Sequence, residues 1–416
     1  MKKQFLSTLQ QELSRLDTVG ISKRRERVIE KFTDDPSPQA VIQKKARRIF
    51  NSNDYLGLRF HPALKKAEHE ASEKYGVGPG AVRFISGSLE IYHELEHEIA
   101  KFHNREDAMV ISSAFAANVA VIPCFIKGQS KDSLVSENAL VVSDELNHRS
   151  IIEGVRAASI DSFHKAIFKH MDAEDLRRVL KENEGKFTRV VVVTDGIFSM
   201  LGEYQDIKKL RAVCDAFEQK YEEGIVLIVD DAHGVGCFGK TGRGVEEVCG
   251  ARADILVGTL GKAFGVDGGY IVGDTIAIDY LREAAATYIY SNPISPGAAG
   301  AGVAAFELMQ RAEGKKLLAQ SQHNIAFFKS LMKKEKFQFS ADSHHPIQPL
   351  FVGDSIIAKS LAQALFDEGF LVTNINYPVV PKGRDEIRIQ ISAIHTEEDI
   401  RIFVETLKKL RKTIKF

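Results

Sequence analysis

Six short apolar runs between residues 107 and 272 constrain the fold of this chain more than any other feature. They are Ala108-Met-Val-Ile111, Leu140-Val-Val142, Val190-Val-Val-Val193, Ile225-Val-Leu-Ile-Val229, Ile255-Leu-Val257 and Tyr270-Ile-Val272. None alternates apolar with polar residues, so each reads as a strand covered on both faces. The stretches between them are amphipathic. Buried strands alternating with helices predict an α/β fold, with a mostly parallel sheet wrapped by helices.

The character changes after Pro293 and Pro296. An alanine-rich stretch, 298–305, predicts a long helix that leads into a charged region over 311–334. Strand-like segments follow at 349–352, 370–373 and 386–391, which suits a smaller α+β domain. Thr396, with Asp399 three residues on, marks the start of a last helix whose apolar face is Ile400, Phe403, Leu407 and Leu410. At the other end, Leu6, Leu9, Leu13 and Leu16 follow helical spacing and predict an amphipathic helix docked on the body. The expected division is 1–58, an N-terminal segment packed with the small domain; 59–297, the large domain; and 298–416, the small one.

Composition narrows the function. Lys plus Arg equals Asp plus Glu at 56 each, so no nucleic-acid footprint or acidic tail is present. The cysteines at 124, 214, 237 and 249 show no CxxC spacing and read as reduced, buried thiols. The segment 4–12 is too polar for the core of an export signal, and no run approaches the ~20 apolar residues of a membrane helix. A cytoplasmic location is expected.

Chemistry concentrates where two of the apolar runs end. Asp230-Asp-Ala-His233 closes one, and Thr259-Leu-Gly-Lys262 closes another. In open α/β sheets the carboxyl edge of the strands is where ligands sit. Alone, an Asp-x-x-His at a strand end is commonly a satisfied hydrogen-bond pair, and a lone lysine is commonly a solvated surface group. Together they supply what pyridoxal phosphate (PLP) chemistry requires: an amine for the Schiff base, a carboxylate for the pyridine nitrogen, and hydroxyls and amides for the phosphate. Lys262 lies between Gly261 and Ala263 just after a buried strand, where burial lowers an amine's pKa. Ser112-Ser-Ala-Phe-Ala-Ala-Asn118 follows a strand and opens a helix, so its N–H groups suit a phosphate. Val193-Thr-Asp-Gly-Ile-Phe-Ser199 is expected to repeat that geometry, and His148 in Asp144-Glu-Leu-Asn-His148 to stack on the pyridine ring. The ordinary alternatives are helix caps for the serines and a surface position for His148. No metal-ligand set is read.

These segments, with Asn53-Asp-Tyr-Leu-Gly57, Tyr75-Gly-Val-Gly78, Val82-Arg-Phe-Ile-Ser-Gly87, His93-Glu-Leu-Glu96, Asp195-Gly-Ile-Phe-Ser-Met200, Gly239-Lys-Thr-Gly-Arg-Gly244, Tyr290-Ser-Asn292 and 387–396, run in order along nearly the whole chain. In them the chain resembles the α-oxoamine synthases, fold-type I PLP enzymes that condense an amino acid with an acyl-CoA and release CoA. The resemblance implies that Lys262 holds the cofactor as a Schiff base and then takes the Cα proton. It implies that Asp230 pairs with the ring nitrogen, His233 bonds the phenolic oxygen, and His148 stacks on the ring. Ser199, Thr259 and the amides of Ala114 and Phe115 would hold the phosphate, joined by Ser291 from a second subunit, which implies a homodimer. Asn53 and Arg388 would bind the amino-acid carboxylate.

Within the family, 82–87, 290–292, 377–383 and 387–393 look most like the glycine C-acetyltransferase branch, which joins glycine to acetyl-CoA in threonine breakdown. Members that join alanine to a pimeloyl thioester in biotin synthesis, or serine to palmitoyl-CoA, are the alternatives. Three positions depart from the family pattern: Leu201 where most members carry Asp, Glu386 in place of a basic residue, and Pro293 in place of a small polar one. A conventional aminotransferase has no use for the 76–78 and 83–87 segments, and a catalytically dead subunit would have no need of Lys262.

Overall fold

The computed structural model describes residues 2–19, 22–24, 26–377 and 379–416. Met1 and Pro378, which belong to segments read above, lie outside the described residues. A helix, Lys3–Thr18, precedes three short strands, β1 (Lys31–Phe32), β2 (Ala40–Ile42) and β3 (Lys45–Ile49). The expected docking of the first helix is corrected. None of its residues is buried, and Phe5, Leu6, Leu9 and Leu13 are exposed. Its polar contacts are local, Arg15 with Glu12 and Arg24 with Asp17, and leave the apolar stripe open.

The six apolar runs form strands of one seven-stranded sheet. They are β4 (Asp107–Ile111), β5 (Ala139–Asp144), β7 (Arg189–Asp195), β8 (Ile225–Asp230), β9 (Ile255–Thr259) and β10 (Gly269–Gly273); β6 (Lys165–Phe168) adds an edge that no apolar run announced. The order is β4-β10-β9-β8-β7-β5-β6, with only β10 running antiparallel to its neighbours. Successive residues point to opposite faces of a strand. Accordingly Leu227 and Val229 enter one core while Ile228 enters the other, and Val190 and Val192 part from Val191 and Val193 in the same way. Two buried faces explain the absence of alternation in the sequence.

Downstream, β11 (Ile347–Phe351), β13 (Thr373–Ile375) and β14 (Glu386–Gln390) form an antiparallel sheet in the order β11-β14-β13. Strand β12 (Phe370–Leu371) instead pairs with β3, so the N-terminal segment joins the C-terminal body through β1-β2-β3-β12. In β14, Ile387 and Ile389 face the local core, and Glu386, Arg388 and Gln390 share the opposite face, toward the large body. The capping box of Thr396 and Asp399 starts helix Glu397–Ile414, whose Ile400, Phe403, Leu407 and Leu410 are buried.

The helix Pro296–Gln310 packs on Pro62–Tyr75 and contributes Ala298, Ala299, Phe306 and Met309 to the large core. Its glycines permit this contact: a Cβ on Gly300 would lie 2.6 Å from that of Ala71. By core membership, the division we propose therefore falls within helix Ala312–Lys334, between Leu318 and Ile325, not at 297/298. Among the described residues no helix is long and apolar enough to cross a membrane.

Candidate active site

Parallel register brings two acids side by side at the carboxyl edge. Asp195 ends β7 opposite Asp230, the end of β8. The next strand, β9, ends at Thr259 and turns through Lys262. Gly265, at φ +70°, lets this turn pass so close to Leu58 and Arg59 that a Cβ there would lie 2.2 Å from the Arg59 amide nitrogen. The 53–59 segment thus forms a wall of the site.

Electrostatics tie the group together. Burial lowers Lys262 below the ordinary ammonium value, against the pull of Asp230 and Asp195, and so favours a neutral amine. Burial also raises Asp195 well above the usual carboxyl range, and the nearby Asp230 adds to it. His148 is lowered by burial while Asp230 pulls the other way.

Hydrogen bonds fix the geometry around Asp230, which is 4% exposed. Its Oδ1 accepts from the Ala232 amide at 3.0 Å, and its Oδ2 from Asn118 Nδ2 at 2.5 Å. The same Asn118 nitrogen lies 2.9 Å from Ser150 Oγ, itself 2.7 Å from His148 Nδ1. The His148 amide donates to Asp195 Oδ2 at 2.7 Å. His148 is therefore a helix cap tied into the acid cluster by its amide and Nδ1, although the residue is exposed in the single chain.

A second line of contacts reaches His233. Its Nδ1 lies 2.7 Å from the Tyr55 hydroxyl, which is 3.2 Å from the Asn53 carboxamide. The Asn53 carboxamide lies 2.6 Å from that of Gln390, which faces Arg388 Nη1 at 2.9 Å. Arg388 Nε donates to the Ser199 carbonyl at 2.7 Å. From behind, His345 receives the Ile347 amide on Nδ1 and so carries its hydrogen on Nε2, which donates to the His233 carbonyl at 2.7 Å. The Cys237 thiol donates to the same carbonyl.

The expected phosphate groups differ in their placement. Helix Ala114–Ile126 opens behind β4 with Ser113 as its cap, so the first-turn amides of Ala114 and Phe115 have no acceptor within the helix. The Thr259 hydroxyl is engaged, donating to the Gly268 carbonyl and accepting from the Gly261 amide, both at 3.1 Å. Ser199 corrects the expectation of a second strand-to-helix exit. The 197–204 segment folds back through an Ile197–Tyr204 bridge, and the next helix starts only at Ile207. Gly202 donates to the Phe198 carbonyl and closes this tight loop. Ser291 is exposed in a single chain and stands with Arg83 and Ser112 around a small recess. Of the cysteines, 124, 214 and 237 are buried as expected, whereas Cys249 is only half-buried.

This donor set fits PLP: a desolvated amine, a buried carboxylate braced from two sides, an imidazole with one nitrogen uncommitted, and a helix start with open amides. The comparisons agree. A family model described as aminotransferase class I and II matches residues 49–407. An 8-amino-7-oxononanoate synthase from Thermosipho melanesiensis is 38% identical over 91% of this chain and 92% of its own length. The mitochondrial 2-amino-3-ketobutyrate coenzyme A ligase of Bos taurus is 37% identical over 97% of this chain and 91% of its own. The chain belongs to the α-oxoamine synthases, PLP-dependent acyltransferases of fold type I. A solved structure of SPT with its PLP internal aldimine superposes with a TM-score of 0.86, at 26% identity and 98% coverage of both chains.

Tyr55, Asn118, Ser150, Asp195, His345 and Gln390 are parts of this synthase site that the sequence reading did not single out. All but Ser150 and His345 lie inside segments quoted above, which was the available signal, and Ser150 follows one of them by two residues. His345 lies in none, and only the fold brings it behind His233. The 83–87 and 93–96 segments also acquire a reason. Arg83 and Glu96 form a buried two-pronged ion pair at 2.6 and 3.0 Å, and Glu96 also accepts from the Val110 amide of β4.

Proposed function

We propose that this α-oxoamine synthase condenses glycine with acetyl-CoA, releasing CoA, and that it does so as a homodimer in which the partner's Ser291 completes the phosphate site. The observation that carries the condensation is the placement of Lys262. It is a buried amine whose pKa desolvation lowers, one strand from Asp230 and within the field of Arg388. Bound PLP supplies an electrophilic carbonyl and a cationic ring that withdraws electrons from the amino acid's Cα.

The chain's own groups do the rest. Asp230 Oδ2 and Oδ1 hold a proton at the ring nitrogen, and Asn118 and the Ala232 amide keep the carboxylate in place. His148 covers the ring, its orientation fixed by Ser150 and Asp195. His233 Nε2 donates to the phenolic oxygen. Arg388 and Asn53 grip the amino-acid carboxylate, which orients the Cα–H bond toward the Lys262 nitrogen. Once neutral, that nitrogen accepts the proton.

Glycine with acetyl-CoA is favoured by the likeness of segments 82–87, 290–292 and 377–393 to the glycine C-acetyltransferase branch, and by a relative of that activity aligned over 97% of the chain. Alanine with a longer acyl thioester is the second reading, favoured by the 8-amino-7-oxononanoate synthases at similar identity. Release of CoA, followed with a thiol reagent while glycine, alanine and serine are crossed against acetyl-, medium-chain and palmitoyl-CoA, decides between them. Turnover confined to glycine plus acetyl-CoA supports the first reading; turnover of alanine with a longer chain replaces it with the second.

A further inference from the structure

The contacts between Arg388 and His233 have a forced direction. A guanidinium only donates. Arg388 Nη1 faces the Gln390 carboxamide at 2.9 Å, so the Gln390 atom toward it is oxygen, and the Gln390 nitrogen then donates to the Asn51 carbonyl, also at 2.9 Å. That oxygen lies 2.6 Å from the Asn53 carboxamide, so Asn53 presents nitrogen to it. The same Asn53 atom is 3.2 Å from the Tyr55 hydroxyl. Tyr55 accepts there, and its one proton goes to His233 Nδ1 at 2.7 Å, because the reverse direction would leave the buried phenol proton without an acceptor. A neutral imidazole that accepts on Nδ1 carries its hydrogen on Nε2.

We propose that Arg388 sets the tautomer of His233 through Gln390, Asn53 and Tyr55, fixing Nε2–H as the donor turned to the cofactor. This rests on the site reading above, in which His233 meets the phenolic oxygen and Arg388 the substrate carboxylate. Burial supports it by holding His233 neutral and keeping the Tyr55 phenol protonated, so no charged state competes with the two tautomers. With the opposite tautomer, Nε2 would present a lone pair to an oxygen that carries negative charge. A carboxylate bound to Arg388 is acceptor-only, so it takes guanidinium N–H groups left over at the head of the line without reversing any hydrogen bond. Tyr55 and Gln390 are thus positioning residues that act through His233.

The test titrates PLP into the apoprotein and follows the visible band of the loaded protein against pH. Tyr55→Phe and Gln390→Leu are each placed in the wild-type and in a His233→Asn background, where the amide supplies an N–H without tautomers. Loss of one hydrogen bond to a charged oxygen predicts about tenfold weaker PLP binding for each variant in the wild-type background. A displaced titration of the band should accompany it, and neither change should appear in the His233→Asn background. Unchanged affinity and spectrum in both single variants would overturn the proposal. So would effects that persist undiminished beside His233→Asn, because they would then come from packing. A PLP band that survives the single substitution Lys262→Ala would instead overturn the site reading itself.

Discussion

Glu96 offers the sharpest test of how the 83–87 segment is held. Its side chain and that of Arg83 are 4% and 7% exposed, and the carboxylate receives both Arg83 nitrogens and the Val110 amide. Glu96→Leu leaves a guanidinium buried without its counter-ion, which costs about 3–5 kcal/mol. The rings of Tyr92 and Tyr288, with centroids 5.4 and 5.5 Å from the Arg83 carbon, offset about 1 kcal/mol of that. The orphaned Val110 amide adds about 1 kcal/mol, giving a net loss of about 4 kcal/mol. The double variant Arg83→Met/Glu96→Leu removes both charges and should cost only about 1–2 kcal/mol, since a buried ion pair replaced by apolar groups is nearly neutral. Urea denaturation of the apoprotein measures all three, with the slopes compared so that a change in midpoint is a change in stability. A double variant no more stable than Glu96→Leu would refute the reasoning, because it would show that the loss came from packing and not from the stranded charge.

The remaining expectations concern the site and its frame. Lys262→Ala should still take up PLP but lose the visible band and slow condensation by about a thousandfold or more; substantial residual turnover would remove Lys262 as the base. Arg388→Ala should raise the KM for the amino acid by about 10- to 100-fold, the worth of a charge-assisted pair, and that for acyl-CoA much less; equal effects would make Arg388 structural. His170 is opposed by burial, but its bonds to Asp144 and Glu203 outweigh it and raise its pKa to about 9. A histidine raised in this way stabilises fully below its unfolded value near 6.5, and the contribution disappears as pH rises through about 9. Stability should therefore fall between pH 6 and 10 in the wild type, and a thermal melt of His170→Asn should show a shallower fall.

The large sheet was legible because burial on two faces writes itself as unbroken apolar runs. The edge strand β6 was not, since Lys165 and Ile167 face outward and leave only Phe168 buried. Helix Pro296–Gln310 was foreseen as a helix of the C-terminal body, whereas its side chains enter the large core. Its Gly and Ala content permits close packing on any partner and does not name one. In the site, strand-end residues such as Asp230 and Lys262 could be placed from the chain alone, because a parallel sheet brings every carboxyl end to one edge. Contacts between bodies could not. Gln390 meets Asn53 across 337 positions, and His345 meets His233 across 112, with no periodicity to report either. The open stripe on helix Lys3–Thr18 shows the same limit from the other side, for amphipathic spacing says that a face is apolar and not what covers it.

Two of the departures from the family pattern lie on a loop and a strand that meet. Leu201 lies in the 197–204 loop, whose Ser199 carbonyl receives Arg388 and whose Glu203 bears electrostatically on Glu386. The loop has thus lost an acid at 201 and the strand has gained one at 386. Glu386 is fully buried, and among the described residues neither carboxyl oxygen has a hydrogen-bond partner. Burial raises it to about 7, with Glu203 adding to the shift and Ser340, Arg388 and Arg384 opposing it. For a carboxyl the sign is unfavourable: with the folded pKa above the unfolded 4.5, stability is lost as pH rises from there through about 7. The full shift corresponds to about 3 kcal/mol above that window. Glu386→Gln should then leave stability unchanged at pH 4, where the carboxyl is protonated in both states, and raise it by about 2–3 kcal/mol at pH 8. Denaturation at the two pH values reads the difference directly. A variant less stable than wild type at pH 8 would mean that the ionised carboxylate serves Arg388 as a counter-ion, and that the exchange of charge at this contact was compensated after all.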